Sequence, residues 1–300
     1  MSKSLRARLV EKIVWQMRAR ADRVQDDLQR LRADFEFSGR YQPKPRGVKI
    51  SQRVVEGVPV EVLTPTVRNP KRVLMYLHGG GYVIGSPRTH RAFTMTLAKA
   101  LAAEVWVPDY RLAPEHPYPA AHEDAIKVWR AFTETFPDQV RLLAGESAGA
   151  GLSVATALRA RDEHLPMPHG LYLISPWLDV TLTARACRER DHRDALLGYA
   201  FTDKVFASNY CRKDQRQSPR VSPLFADLAG LPPTLVQVGE NEILYDDSIS
   251  FADRASQAGV EITLEEASGM WHAWVLFAAL VPEAKASLRS AVRWLNAPTD

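Results

Sequence analysis

Cysteine is nearly absent from this chain, with only Cys187 and Cys211 in 300 residues. Two thiols cannot frame a chain of this size with disulfides, and neither sits in C-x-x-C or zinc-ligand spacing. Two inert reduced thiols are expected. Long apolar runs are missing too, and the longest, residues 273–281, is far too short to span a bilayer. The N-terminal residues contain no uninterrupted apolar core of the secretory type, and Glu11, Asp22, Asp26 and Asp27 argue against a transit peptide. A soluble cytoplasmic protein without stable membrane insertion is therefore expected. Nor does one sign of charge dominate: 39 basic and 35 acidic residues are interspersed for a net charge of +4, which gives nucleic-acid binding no support. Much of the basic excess, Lys3, Arg6, Arg8, Lys12, Arg18 and Arg20, falls in the first twenty residues. It reads as the solvated face of a helix, with a membrane-surface or anionic-partner patch as the alternative.

What the chain has is enough apolar material, 46% of its residues, to bury one large core or two small ones. Leu5, Leu9, Ile13 and Met17, then Leu28, Leu31 and Phe35, recur at helical spacing. Residues 48–55 and 58–63 alternate around a Gly57 turn and predict an antiparallel hairpin. Short apolar runs follow at 73–77, 105–107, 140–143, 171–174, 234–238 and 260–264. Helix-like segments at 94–103, 121–135, 150–161, 246–258 and 282–294 separate most of them. Continuous rather than alternating hydrophobicity predicts strands buried on both faces, hence a mostly parallel sheet with helices on both sides. About sixty residues separate the fourth and fifth of these runs, several times a normal connection. Leu196, Leu197, Tyr199, Phe201, Val205, Phe206 and Tyr210 in that stretch predict a folded lid.

Gly145-Glu146-Ser147-Ala148-Gly149 follows the run at 140–143 and reads G-x-S-x-G. A strand turning sharply into a helix leaves such a serine hydroxyl standing above the sheet. Alone the pattern is weak, since this composition would produce it by chance roughly once in twenty such chains. A second motif, His78-Gly79-Gly80-Gly81-Tyr82, follows the run at 73–77. Its consecutive glycines leave backbone N–H groups free to face a developing negative charge.

With these motifs in place, the chain resembles the hormone-sensitive-lipase-like branch of the α/β-hydrolases, a bacterial group of carboxylesterases. The resemblance rests on H-G-G-G-Y at 78–82, D-Y-R-L-A-P-E at 109–115 and G-x-S-x-G at 145–149. It continues through S-P-W at 175–177, S-P-L at 222–224 and G-M-W-H at 269–272. It implies an α/β-hydrolase catalytic part over residues 46–180 and 217–300, capped by helices from 1–45 and 181–216. The chain order in this fold is serine, acid, histidine. After Ser147 the histidines are His164, His169, His192 and His272, and His272 matches the family's G-M-x-H. The family's acid motif aligns with residues 239–246 and points to Glu242 where aspartate is commoner. Asp246 and Asp247 are rivals, more naturally read as the start of the next helix.

The resemblance further implies an oxyanion hole from the N–H groups of Gly80, Gly81 and Ala148. Activity on short- to medium-chain acyl esters, without metal or organic cofactor, comes from the same source. Tyr82, Trp177 and Trp271 are candidates for contact with the substrate. The stretch 109–115 is expected to brace the glycine loop. A homodimer through the last strand, near residues 260–264, is implied by the family alone. Alternatives on the same fold are an interfacial lipase and a non-catalytic ligand receptor. Such receptors lose a triad residue, whereas Ser147 and His272 are both present here.

Overall fold

Eight strands form one sheet in the computed structural model, which describes residues 3–297. They are β1 (Val48–Val55), β2 (Val58–Pro65), β3 (Arg72–Leu77), β4 (Glu104–Pro108), β5 (Val140–Glu146), β6 (Gly170–Ile174), β7 (Thr234–Gly239) and β8 (Ile262–Ala267). Their order is β1-β2-β4-β3-β5-β6-β7-β8, with β2 antiparallel to both of its neighbours and all other pairings parallel. The β1–β2 hairpin turns on Glu56 and Gly57, both at positive φ (46° and 84°), the turn whose twist matches that of the strands.

Helices cover both faces: α1 (Leu5–Arg23), α2 (Leu28–Arg40), α3 (Pro87–Leu101), α4 (Ala120–Thr135) and α5 (Ala148–Asp162), then helices at Tyr245–Gln257 and Pro282–Asn296. Side chains along the central strands divide between two cores. In β3, Val73, Met75 and Leu77 pack into one and Leu74 and Tyr76 into the other. In β6, Leu171 and Leu173 oppose Tyr172 and Ile174 in the same way. This two-sided burial is why the strands read as unbroken apolar runs.

Two boundaries differ from the sequence reading. α3 begins at Pro87, seven residues before the expected start, because Ser86 caps it with a bond from Thr89 and Pro87 fills the first turn. β8 runs from Ile262 to Ala267 rather than over 260–264. Gly259 at φ 81° and Val260 close the preceding helix, and the strand continues into Glu265 and Glu266 at the half-exposed edge of the sheet.

The long connection between β6 and β7 is folded. It holds a helix at Arg185–Glu189 and a continuous helical stretch over residues 199–210 with a π turn at Thr202–Ala207. Leu197, Phe201, Val205, Phe206 and Tyr210 within it are buried. Both cysteines are buried and free, and burial pushes the Cys211 thiol up to about 11. No helix among the described residues is long and apolar enough to cross a membrane. The loops after β3, β5, β7 and β8 lie at the carboxyl edge of the parallel strands, where such sheets gather their chemistry.

Candidate active site

Ser147 occupies the single residue between the last residue of β5 and the first of α5, at φ 55° and ψ −124°. A non-glycine residue is strained in this region, and the surroundings hold it there. Its N–H donates to the Ile174 carbonyl (2.9 Å), and its own carbonyl accepts from Trp177 N–H (3.0 Å) and Gly151 N–H (3.1 Å). The motif glycines answer to close backbone approach. A Cβ on Gly145 would strike the Gly149 carbonyl, and one on Gly149 the carbonyls of Leu77 and His78.

Beside the serine, Gly80 and Gly81 of the loop after β3 have φ of 111° and 62°. The N–H groups of Gly80, Gly81 and Ala148 donate to no protein acceptor among the described residues. Ala148 also opens α5, whose N-terminal end favours negative charge. The loop is braced as expected from the stretch at 109–115: Tyr110 donates its hydroxyl to the His78 carbonyl, and Ala113 N–H donates to the Tyr82 carbonyl (2.8 Å). Arg32 of α2 joins in, bonding the carbonyls of Val83 (2.9 Å) and Ala113 (2.7 Å) while pairing with Glu115. His78 stacks on Tyr110 at 4.2 Å, and burial lowers its pKa to about 3, so it is a neutral packing element.

His272 follows β8, and its Nδ1 lies 3.0 Å from Oε2 of Glu242 in the turn after β7. The other Glu242 oxygen accepts from Ser175 Oγ and Gly239 N–H, each at 2.6 Å. Burial lowers the His272 pKa, but the bond and charge of Glu242 outweigh it and leave the imidazole above its ordinary value. Burial likewise raises the Glu242 carboxyl. Asp246 instead accepts from Ala186 N–H (2.8 Å), and Asp247 from the N–H groups of Leu178 and Asp179 (2.9 Å each). Neither reaches His272. Of the other histidines, His164 and His192 are exposed and His169 bonds Arg141 N–H on β5.

Ser147, Gly80 and His272 meet in one cavity of about 310 Å³. Its walls are largely apolar: Met17 and Ala21 of α1, Leu31 and Phe35 of α2, Leu197, Phe201 and Phe206 of the lid, and Phe277. No hydrogen bond links Ser147 Oγ to His272 among the described residues, a looseness common before substrate binds. A larger open groove of about 700 Å³ between α3 and the C-terminal helix contains none of these groups.

The aromatic expectations need correction. Tyr82, Trp177 and Trp271 are buried and do not line this cavity. Tyr82 stacks on Tyr210 at 3.9 Å, Trp177 donates its indole N–H to the Asp179 carbonyl, and Trp271 packs its edge on Phe277. Each ring is spent on the core beneath the lid or the sheet. The cavity draws its aromatic surface from phenylalanines instead.

Two carboxylates escaped sequence reasoning. Glu146, the residue before the serine, is buried and accepts from Gly79 N–H, Tyr76 hydroxyl and His90 Nε2. Asp194 of the lid is fully buried. Its Oδ1 accepts from His272 N–H (3.2 Å) and Leu196 N–H (3.1 Å), and its Oδ2 from Ile243 N–H (3.1 Å). Glu146 was visible as the variable position of the serine motif, but its partner His90 lies in the first turns of α3, ahead of the helix start expected at residue 94. Nothing in the local pattern around Asp194 marks it.

The comparisons with known proteins agree with this fold. A family model for the α/β-hydrolase fold matches residues 74–276. An esterase of Acinetobacter venetianus is 42% identical over 219 residues, 72% of either chain. An acetyl-hydrolase of Streptomyces hygroscopicus is 39% identical over 233 residues, covering 77% of this chain and 78% of that one. A crystal structure of an esterase from the bacterial hormone-sensitive lipase family superimposes with a TM-score of 0.91 at 35% identity, over 98% of both chains.

Proposed function

The chain belongs to the bacterial hormone-sensitive-lipase-like family of α/β-hydrolases and is a carboxylic-ester hydrolase, and we propose that it works through Ser147, His272 and Glu242 on short- to medium-chain acyl esters. The observation that carries the residue assignment is the buried Glu242 carboxylate on His272 Nδ1, in the cavity that also holds Ser147. With Nδ1–H donated to Glu242, the remaining nitrogen Nε2 is left as the base. His272 takes the Ser147 proton as Oγ attacks the ester carbonyl, and Glu242 stabilises the imidazolium. The free N–H groups of Gly80, Gly81 and Ala148 receive the oxyanion, each worth on the order of 10²–10³ in kcat. His272 returns the proton to the departing alcohol. Water, deprotonated by the same imidazole, then releases the acid from the acyl-serine.

The size of the cavity supports the chain-length reading. A cavity of about 310 Å³ walled by Phe35, Phe201, Phe206 and Phe277 fits a modest acyl group better than a long fatty chain. α1, α2 and the 181–216 insertion serve as the cap. The test is hydrolysis of p-nitrophenyl acyl esters of increasing length by the wild type and Ser147→Ala. We expect a maximum at short or medium length and loss of nearly all turnover in the variant. Comparable rates in both would remove Ser147 from its role, and a rate still rising at the longest chains would remove the size limit.

A further inference from the structure

α1 is pinned at both ends, yet it turns its large aliphatic side chains outward. Ser4 bonds Glu283 of the C-terminal helix, and Arg18 bonds the carbonyls of Asp191 and Asp194 and the Asp191 carboxylate. Between these anchors Leu5 is 82%, Leu9 62% and Ile13 50% exposed. They are spaced four residues apart and so lie along one face. The residues buried beneath the helix are the smaller Ala7 and Val14.

The charge on that face has one sign. Alongside the aliphatics the helix exposes Arg6, Arg8, Lys12 and Arg20, with no carboxylate among them. Its own acids lie half-buried elsewhere, Glu11 bonded to Lys3 and Asp22 beside Arg18. Arg20 is paired with Asp34, whereas Arg6, Arg8 and Lys12 form no ion pair among the described residues. A face of aliphatic side chains interleaved with unpaired cations fits the boundary between anionic headgroups and acyl chains. It suits a second copy of this chain poorly, because a two-fold contact would set the same cations against themselves. One and two turns past Ile13, Met17 and Ala21 of the same helix line the cavity that holds Ser147.

We propose that the outer face of α1 adsorbs to an anionic lipid bilayer, with Leu5, Leu9 and Ile13 at the acyl boundary and Arg6, Arg8 and Lys12 on the lipid phosphates. The cap side of the enzyme then faces the membrane surface, while no segment spans it. The full-length protein is sedimented with vesicles of phosphatidylcholine mixed with phosphatidylglycerol, and with vesicles of phosphatidylcholine alone. Binding is expected to the mixed vesicles and to fall steeply with salt. Arg6→Glu with Lys12→Glu, and separately Leu9→Gln with Ile13→Gln, should each weaken it about tenfold or more. Hydrolysis of a water-soluble p-nitrophenyl ester by both variants should be unchanged, which certifies their fold. Absence of binding to mixed vesicles, or equal binding by wild type and both variants, overturns the proposal. So does a wild-type dimer that Leu9→Gln with Ile13→Gln dissociates without any lipid binding.

Discussion

The cavity is flanked by two buried glutamate–histidine pairs, Glu242–His272 at 3.0 Å and Glu146–His90 at 2.7 Å, and both histidines line it. Residue types and burial are the same, but the second ring nitrogen differs. His272 leaves Nε2 uncommitted among the described residues. His90 has Nδ1 against Thr89 Oγ1 (2.8 Å) and the Ser86 carbonyl (3.2 Å), so both of its nitrogens are occupied. The carboxylates differ in the same sense. Burial leaves Glu242 above its ordinary value, whereas the charge of His90 and the bonds from His90 and Tyr76 overcome burial and hold Glu146 below. In the proposed mechanism, one pair passes a proton. The other is a fixed brace, and through Gly79 N–H it sets the glycine loop beside Ser147.

Glu242→Gln should separate the pairs most sharply. With the amide oxygen held by Ser175 and Gly239, an NH2 group replaces the acceptor that fixes the His272 tautomer, and kcat/KM on a soluble ester should fall on the order of 10³–10⁴. The pH profile carries a second signature. If His272 is the base, as proposed, it must be neutral to act; turnover should then rise with pH through its raised pKa, and the variant should bring that acid limb down. A limb that stays in place would mean that another group titrates.

His90→Ala should do the reverse, costing stability more than chemistry. It leaves Glu146 buried without its histidine partner, a loss of about 3–5 kcal/mol in denaturant unfolding. Turnover should drop by about 10² or less through the loosened glycine loop. His90 is held above its ordinary value, so its share of stability is complete below the unfolded imidazole pKa and is lost as pH rises through the folded one. Glu146 is held below, so its share is present above the unfolded carboxylate pKa and is lost as pH falls through the folded one. The variant should flatten both dependences of Tm. Turnover lost as completely as in Glu242→Gln, with Tm unmoved, would make the two pairs equivalent and end the distinction.

The same contrast explains what was legible in the sequence. Ser147, Glu242 and His272 follow the ends of strands whose two-sided burial writes itself as unbroken apolar runs, and glycines mark the tight turns beside them. The brace was harder to see because its histidine depends on where α3 starts, and Ser86-Pro87 resembles a loop as much as a cap. The N-terminal helices and the connection between β6 and β7 were the least legible parts. Leu5, Leu9 and Ile13 have the spacing of a buried stripe, yet the helix buries Ala7 and Val14. Spacing reports that a helix has faces, not which face the rest of the molecule covers. The aromatics failed for a related reason: bulk places Trp177 and Trp271 inside the protein without saying which interior.

Asp194 joins α1 to the Glu242–His272 pair, and it offers the smallest and most specific test. Arg18 of α1 bonds its main-chain carbonyl, while its carboxylate holds the N–H groups of His272 and Ile243, the latter next to Glu242. Asp194→Asn keeps the shape but gives one of those N–H groups a donor to face instead of an acceptor. If Asp194 only packs the lid, stability should fall while the kinetics of the surviving enzyme stay unchanged. If it positions the pair, kcat should drop by about tenfold to a hundredfold with little change in KM, since small misplacements of reacting groups are costly. Its charge also helps to raise the His272 pKa, so the acid limb of kcat/KM should move down, though less than in Glu242→Gln. A kcat loss without that shift would restrict Asp194 to holding geometry. A shift without the loss would leave it a distant charge, and the cap would then have no mechanical hold on the triad through this residue.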